Sequence, residues 1–541
     1  MTQTPGSEAL ERIATAIGQA LLGYTLNVIL DSAVAGDFSD GQSEFIRELD
    51  GVLTGPAAEQ YEQVQLHEML RFSLTDTSKL GQPLANKMRL EFGGTFPNSS
   101  GDGSPDQLIR DLARDTFPVF LLPPDESIGF LGPRESPHVA GSIFRHPGNK
   151  AFQDAIISDP HFSAVFGEDN QHVGRHVTLY RSTLRGGTVQ LSMLAGIILG
   201  NAWKGDLGHP SSVEEFCDRA QQQLHFMRSA LAGESVTVKA YQAFAGVRLP
   251  SGLVWNAGEG IVVREVTERD RERAPESLKR QLAHTDSAGE TTVINYDGDV
   301  VVECKYPYRV KVASEPIEDA SPDFDDLSSS LISRITNRLR LSLLIAVQRD
   351  QRVQLVPSWQ FYEDPFDSGY CLSWNDSTQA VGLMPTQLTK PEVEAWQEWF
   401  ELLGNPHAEH IELALSRVIR AVSERREPSD VLIDSVIAWE NLFGSKDGEP
   451  TLRVTASLAL LLEGNPSARR KLRTKLGKIY ALRSDVVHGT SALKEQAQFA
   501  ACYEALNIAI EALRVLLRDR KDVLAQRTGT ERSLHLIVGP A

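Results

Sequence analysis

The residues of this chain best suited to chemistry are an arginine and a histidine five positions apart, Arg483 and His488. An arginine keeps its charge at every physiological pH, and a histidine exchanges its proton near neutrality. Together they can bind a phosphodiester and move a proton without a metal ion. RNA cleavage is therefore the first hypothesis, although the same spacing also fits a surface arginine followed by a helix-capping histidine.

A strongly basic helix leads to this pair. Seven cationic residues and no acidic one stand at positions 469–483. The candidates for RNA binding are Arg469, Arg470, Lys471, Arg473, Lys475 and Lys478. Helical spacing aligns Lys471, Lys475 and Lys478 in one stripe, which suits a polyanion backbone. The alternative is a solvated helix face whose cations complement the helix dipole.

Geometry limits how the arginine and the histidine can work together. Residues five apart on a straight helix point about 140° away from each other, so Arg483 and His488 cannot share a face. Gly489 follows the histidine, and glycine is typical of the position just after a helix end. We therefore expect His488 in or beyond the last turn, where it can swing toward the arginine or toward a symmetry-related copy.

The elements that must position these residues form a predicted all-helical bundle over residues 390–525. Apolar residues recur there at helical spacing, and glycine, proline and asparagine mark the ends. The predicted helices span 392–403, 407–426, 430–443, 451–463, 468–487 and 493–522. Residues 526–541 are expected to be a C-terminal tail.

Two further regions are predicted before the bundle, so the expected fold class is multidomain α+β. Residues 1–230 read as mainly helical, with helices at 8–30, 42–53, 59–72, 106–114 and 212–231. Residues 231–389 read as an α+β region with a small antiparallel sheet, because the apolar period changes to two. Strands at 291–296 and 299–303, joined at Asp297-Gly298, predict a tight β-hairpin. A helix at 327–348 and strands at 353–361 and 370–374 follow.

Composition limits the classes of function. A chain of 541 residues with 41% apolar content suits two or three domains. Its net charge of −18 argues against a protein that coats nucleic acid or membranes with its whole surface. The charge is uneven, because residues 390–541 hold 21 basic and 21 acidic groups and the first 389 residues hold 33 and 51.

The remaining sequence signals favour a cytoplasmic protein without metal or cofactor. The four cysteines form no CxxC pair, which fits a reducing compartment. The apolar run at 13–30 is interrupted by polar residues and glycine, so we expect an amphipathic helix and no membrane contact. His172 and His176 lack the glutamate of a zinc motif, and Asp323, Asp325 and Asp326 read as a capping run.

Several separate elements of the C-terminal part resemble the HEPN superfamily, and its ApeA-like branch in particular. Residues 430–443 fit the pattern D-x-x-I-D-x-x-x-A-x-E-x-L-F. An intervening helix and the stretch Leu476–Tyr480 follow, and then a Tyr-x-x-Arg-x-x-x-x-His-Gly ending over 480–489. The resemblance covers about residues 391–520.

The resemblance implies a metal-independent endoribonuclease built as a helical homodimer, whose active site forms where two Arg-x(4–6)-His motifs face each other. By motif position, His488 would be the acid and base and Arg483 would bind the scissile phosphate. Glu440 falls at the family's acidic position, where it would orient the arginine or take part in catalysis. Tyr480, Ser484 and Asp485 would support the site, although Ser484 replaces the polar amide or acid that many members carry there.

The resemblance also implies a biological role. ApeA-like proteins are associated with prokaryotic defence against phage, in which cleavage of host RNA by such a toxin halts growth (abortive infection). We expect the acidic N-terminal region to sense a phage-derived trigger and to lie over the basic helix until then. The alternatives are a catalytically silent HEPN module that binds RNA or a protein partner as a scaffold, and a plain dimerisation bundle.

Overall fold

A computed structural model describes most of the chain and shows a mixed α and β protein with a helical C-terminal region. The residues outside this description are 1–6, 31–37, 79–80, 98–100, 124–136, 167–175, 183–186, 205–207, 235, 276–277, 280, 286, 313–327, 350–351, 368–369, 374–383, 446–449, 489–495 and 540–541.

The N-terminal region is mainly helical. Its helices are α1 (Ser7–Ile17), α2 (Gln19–Leu26), α3 (Asp40–Thr54), α4 (Gln63–Thr75), α5 (Leu84–Glu91), α6 (Pro105–Phe120), α7 (Pro137–Arg145), α8 (Pro147–Ile157), α9 (Pro160–Phe166), α10 (Leu194–Lys204) and α11 (Val213–Leu231). Strands β1 (His176–Arg181) and β2 (Gly187–Gln190) precede α10. The one helix predicted over 8–30 is two, because Gly18 adopts a φ of 86° that an α-helix cannot continue through.

The middle of the chain builds a six-stranded antiparallel sheet, ordered β12-β11-β3-β9-β6-β5. The elements here are β3 (Val236–Ala245), β4 (Val247–Arg248), β5 (Val254–Gly258), β6 (Ile261–Glu265), α12 (Glu268–Arg273), β7 (Gln281–Thr285), β8 (Thr291–Asn295), β9 (Val300–Tyr308), β10 (Val310–Val312), α13 (Ser328–Ala346), β11 (Val356–Tyr362), β12 (Tyr370–Ser373) and β13 (Thr386–Gln387). Strand β10 leaves this sheet and pairs with β1, which ties the middle region to the N-terminal one.

The β-hairpin predicted at Asp297-Gly298 is wrong. Strand β8 pairs with β7 in a separate two-stranded ribbon, whereas β9 pairs with β3 and β6. Buried contacts explain the difference: the Asp297 carboxylate pairs with Arg271, and its carbonyl accepts a hydrogen bond from Trp359. Gly298 passes so close to β3 that a Cβ there would lie 2.8 Å from the Phe244 carbonyl oxygen. The Asp-Gly pair therefore connects two sheets.

The C-terminal region is helical throughout its described residues. It comprises α14 (Lys390–Leu403), a 3-10 helix at Pro406–Ile411, α15 (Glu412–Ser423), α16 (Pro428–Phe443), α17 (Pro450–Leu462), α18 (Pro466–Val487), α19 (Gln496–Arg518), α20 (Lys521–Leu524) and α21 (Gly529–Ile537). Buried side chains from α15 to α20 share one core, whose members include Trp439, Leu506 and Leu513. The helix predicted at 407–426 is divided into the 3-10 helix and α15, and within the described residues the helix predicted at 493–522 is divided into α19 and α20.

Residues 526–541, expected to be a tail, contain a helix that packs on the bundle. The Arg532 side chain of α21 is buried and donates to the carbonyl oxygens of Leu442 and Asn441 at the end of α16, both at 2.8 Å. Two further carbonyls, of Gln526 and Arg527, accept from the same guanidinium. Helix α21 therefore caps α16, and packing of the bundle extends past residue 525.

Helices α13 and α14 join the sheet to the bundle. Leu339 and Leu343 of α13 lie in the core under the sheet, and Leu344 and Ile345 of the same helix lie in the bundle core. Arg514 of α19 also donates to the Ile345 carbonyl at 2.8 Å. Apolar packing is therefore continuous across residue 390, where the sequence had suggested a domain boundary.

Candidate active site

Helix α18 carries most of the predicted site and extends from Pro466 to Val487. At its start, the Asn465 side chain accepts hydrogen bonds from the backbone of Ser467 and Ala468, and proline occupies the first helical position. Leu476 and Ile479 are buried against the neighbouring helices, and the solvent-facing side of α18 carries the cations. The predicted helix at 468–487 is thus present, with His488 as its C-cap residue.

Glu440 of α16 brings Tyr480 and Arg483 of α18 together. The Tyr480 hydroxyl donates to Glu440 Oε1 at 2.5 Å, and Arg483 Nη2 lies 3.6 Å from Glu440 Oε2. The side chains of Glu440 and Arg483 keep 31% and 24% of their surface exposed. One carboxylate therefore contacts a phenol and a guanidinium at the edge of the bundle, open to solvent on one side.

Burial and charge set the chemistry of this cluster. Burial, and then the hydrogen bond to Glu440, raise the pKa of Tyr480 to about 12, so the phenol remains a donor at neutral pH. The Arg483 Nε is buried and has no hydrogen-bond partner among the described residues. The arginine is thus held from one side by Glu440, and its partly exposed side chain has further N–H donors on the terminal nitrogens, as a phosphate-binding guanidinium requires.

His488 is exposed at the helix end. Its backbone keeps near-helical angles, with φ −83° and ψ 1°, and its N–H bonds the Ser484 carbonyl at 3.0 Å. The imidazole therefore leaves the helix roughly 140° away from Arg483. Ser484 is half-buried and Asp485 is exposed. Gly489, expected to terminate the helix, lies outside the described residues.

The six candidate RNA-binding residues fall into two groups. Arg469 bonds the carbonyls of Glu463 and Gly464 at the end of α17, and Lys475 forms an ion pair with Glu504 of α19. The other four are exposed on α18 and make no ion pair within the described part of the chain: Arg470, Lys471, Arg473 and Lys478. The expected cover by the acidic N-terminal region stays a prediction, because acidic residues of that region, including Asp323, Asp325 and Asp326, lie outside the described part of the chain.

Sequence reasoning missed two residues that contact the site. Thr451, the second residue of α17, hydrogen-bonds Tyr480. Glu504 engages one of the predicted cations. No sequence signal marks either residue, because each contact depends on how α17 and α19 pack beside α18. Of the six predicted catalytic and supporting residues, Glu440, Tyr480 and Arg483 lie together.

Other candidate groups add no second site. The described residues include no cluster of three or more His, Cys, Asp or Glu side chains that could hold a metal ion. His172 and the aspartates at 323, 325 and 326 lie outside the described residues, as does the side chain of His176. Cys217, Cys304 and Cys502 are buried free thiols. No described helix is both long and apolar enough to cross a membrane.

Comparison of the chain with protein-family models, with curated proteins and with solved structures gives no match.

Proposed function

We propose that this chain is a metal-independent endoribonuclease of the HEPN type, and that α16 to α19 carry its active site. The observation that supports it best is the contact of Glu440 with both Tyr480 and Arg483. An arginine oriented by a carboxylate, on a basic helix that ends in an exposed histidine, suits phosphodiester chemistry. Its cellular role would be antiphage defence by cleavage of host RNA.

The proposed reaction uses the RNA itself as nucleophile. His488 removes the proton from a ribose 2′-hydroxyl, and the 2′-oxygen attacks the adjacent phosphorus. Arg483 binds the phosphate and stabilises the negative charge that develops on its oxygens. The bond from phosphorus to the 5′-oxygen breaks, and the departing oxygen takes up a proton from protonated His488. The products are a 2′,3′-cyclic phosphate and a 5′-hydroxyl, and DNA is not a substrate because it lacks the nucleophile.

A homodimer would complete this site. Arg483 and His488 of one chain point in different directions, so we propose that the arginine of one protomer works with the histidine of its partner. Leu452, Val487 and Phe499 support a contact here, since these apolar residues at the adjacent ends of α17, α18 and α19 are 44%, 48% and 37% exposed. Exposed apolar groups of this kind are typical of protein interfaces.

Replacement of the two motif residues tests the proposal. Purified Arg483→Ala and His488→Ala proteins, assayed with RNA in EDTA, should each lose cleavage by at least about 100-fold. Circular dichroism and light scattering should show an unchanged fold and oligomeric state. An exposed lysine on α20, replaced as Lys521→Gln, serves as the matched control and should cleave normally. Full activity of the His488→Ala protein would refute the catalytic assignment.

A catalytically silent RNA-binding scaffold is the second candidate. The ion pair with Glu440 favours it, because a carboxylate already occupies one side of the arginine. The exposed cations of α18 would bind RNA whether or not the motif is active. A scaffold predicts RNA binding by the unmodified protein without any cleaved product, at every protein concentration tested.

We also propose that the N-terminal regions regulate the nuclease through the segment that joins α13 to β11. In this segment Arg352 donates to Asn507 of α19 at 2.7 Å, and Gln354 donates to Val422 of α15 at 3.3 Å. Asn507 lies one turn from Glu504, which pairs with Lys475 of α18. An Arg352→Ala protein should change its cleavage rate several-fold while binding RNA normally; an unchanged rate would exclude this route.

A further inference from the structure

The hydroxyl of Tyr480 takes part in two hydrogen bonds, and only one of them can use its proton. It donates to Glu440 Oε1 at 2.5 Å. Thr451, the second residue of α17, bonds the same hydroxyl. A phenol has one proton and a carboxylate has none to give, so the Tyr480 proton lies toward Glu440 and the Thr451 hydroxyl is the donor to Tyr480. The two bonds therefore run in one direction, from Thr451 to Tyr480 and from Tyr480 to Glu440.

The place of Thr451 in α17 leaves its hydroxyl available for this bond. Threonines inside a helix commonly donate to the carbonyl four residues earlier, as Thr455 does to the Thr451 carbonyl at 2.7 Å. Thr451 stands in the first turn of α17, which begins at Pro450, so no carbonyl of the helix lies four residues before it. Its hydroxyl therefore donates across to Tyr480 of α18.

The bond from Thr451 determines which way the Tyr480 proton points. A hydroxyl proton rotates to suit its neighbours, and a donor on one side of the phenol oxygen leaves the proton to the other partner, Glu440. Donation by Thr451 also polarises the phenol, which strengthens its own bond to the carboxylate. The second carboxylate oxygen, Glu440 Oε2, lies 3.6 Å from Arg483 Nη2. The orientation of the arginine therefore depends on a residue that it does not contact.

We infer that Thr451 is a further positioning residue of the proposed nuclease and that it holds Arg483 in place through Tyr480 and Glu440; this inference rests on the function proposed above. The site is then assembled from three helices, α16, α17 and α18. Thr451 is exposed, so water can replace part of its hydrogen bond when the hydroxyl is removed. The expected loss is therefore about 5-fold, smaller than the loss on replacing Glu440 itself.

Steady-state kinetics of the full chain with RNA in EDTA measure the role of the hydroxyl. Thr451→Val removes it and keeps the β-branched shape, and kcat should fall about 5-fold with little change in KM. Thr451→Ser keeps the hydroxyl and should retain most of the rate. In a Tyr480→Phe background Thr451→Val should have no further effect, because the group through which it acts is gone. Thr54→Val, at an exposed threonine of α3, is the matched control and should cleave normally.

Chemical modification of Arg483 tests the same contacts without RNA. Phenylglyoxal reacts with accessible arginine side chains, and mass spectrometry of the peptides gives its rate at Arg483. Glu440→Gln should raise this rate, and Thr451→Val should raise it by up to about 5-fold, whereas Thr451→Ser and Thr54→Val should leave it unchanged.

Two results would overturn the inference. One is a modification rate of Arg483, or a kcat where RNA is cleaved, that is the same in Thr451→Val as in the unmodified protein. The other is a full additional effect of Thr451→Val in the Tyr480→Phe background. Absence of RNA cleavage by the unmodified chain refutes the nuclease alone, and the modification rate then still decides whether Thr451 positions Arg483.

Discussion

Glu440 connects the residues of the candidate site, because its two carboxylate oxygens contact different partners on α18. The Arg483 side chain is long and has several rotatable bonds, so holding it in one conformation costs conformational entropy. A fixed carboxylate supplies that order before the phosphate arrives. We treat Glu440 and Tyr480 as positioning residues and Arg483 and His488 as the groups that contact RNA.

Removing the charge of Glu440 should release the arginine while keeping the hydrogen bond to Tyr480. The Glu440→Gln protein is expected to lose up to about 100-fold in kcat with a smaller change in KM. Glu440→Asp should recover part of that loss, which a purely structural defect would not do. Steady-state kinetics in EDTA, with the melting temperature recorded for each variant, provide the check. A normal kcat for Glu440→Gln would show that the arginine needs no such support.

The contribution of the Tyr480 hydroxyl to stability should depend on pH. Its folded-state pKa of about 12 lies above the ordinary value of 10.0, so the neutral phenol is the form that the fold stabilises. The contribution to stability is therefore complete below about pH 10 and is lost as the pH rises through about 12. The Tyr480→Phe substitution should lower the free energy of unfolding by about 1 kcal/mol at neutral pH. Chemical denaturation should show the same difference between the two proteins from about pH 6 to 9. A difference that disappears by pH 8 would contradict the assignment.

At the residue scale, sequence reasoning found the members of the cluster but not all of their contacts. The resemblance of 430–443 and 476–489 to the HEPN pattern selected Glu440, Tyr480 and Arg483, which lie together. Thr451 and Glu504 carry no pattern of their own, and only the packing of α17 and α19 brings them to α18. Gly489, which explained the helix end in the sequence, lies outside the described residues.

At the scale of the elements, α21 is the clearest addition to what the sequence predicted. Arg532 is buried and donates to four backbone carbonyls, and it forms no ion pair within the part of the chain that the structure describes. Burial lowers its pKa to about 10, and the side chain therefore remains charged at neutral pH. It satisfies two carbonyls at the end of α16, the helix that carries Glu440, and so links α21 to the position of the candidate site.

Removing this arginine should loosen the end of α16. Arg532→Ala leaves buried carbonyl oxygens without donors and is expected to cost about 3 kcal/mol of unfolding free energy. Arg527→Ala, five residues earlier and exposed, is the matched control and should stay within about 0.5 kcal/mol of the unmodified protein. Urea denaturation followed by circular dichroism measures both. Equal stability of the two variants would mean that α21 is a dispensable tail after all.

Regular elements could be predicted where the apolar period is long, as in 392–403, 430–443 and 468–487. Prediction failed where a tertiary contact decides the local structure. Gly18 divides what the period presents as one helix, and the turn chemistry of Asp297-Gly298 is used for a buried crossover. Helix α21 is only nine residues long, which is too short for its apolar spacing to distinguish a helix from a tail.

For the whole molecule, α13 and α14 matter most, because each contributes side chains to two cores. Sequence alone gave a boundary near residue 390 from the change in period and charge, and it could not show that helices on both sides of the boundary share their packing. Among the described residues, the middle region contacts the helical bundle at α13 and at Arg352 and Gln354, and the cations Arg470, Lys471, Arg473 and Lys478 of α18 are exposed.

A shared active site makes a prediction for mixed dimers. If Arg483 of one protomer acts with His488 of its partner, a dimer of one Arg483→Ala chain and one His488→Ala chain has one intact pair. Co-expressing the two inactive chains with different tags should then restore about a quarter of normal activity, since half of the dimers are mixed and half of their sites are intact. Activity that stays at the level of the single variants would place the two residues of one site in the same chain.

The most direct measurement of the central claim is the chemistry of the RNA ends. The unmodified full chain is incubated with a single-stranded RNA in EDTA, and the products are identified by mass spectrometry. Cleavage by the 2′-hydroxyl predicts a 2′,3′-cyclic phosphate on one fragment and a 5′-hydroxyl on the other, both absent with the His488→Ala protein. A 5′-phosphate with a 3′-hydroxyl, or cyclic phosphate formed equally by the His488→Ala protein, would contradict the claim that this histidine and Arg483 cleave RNA.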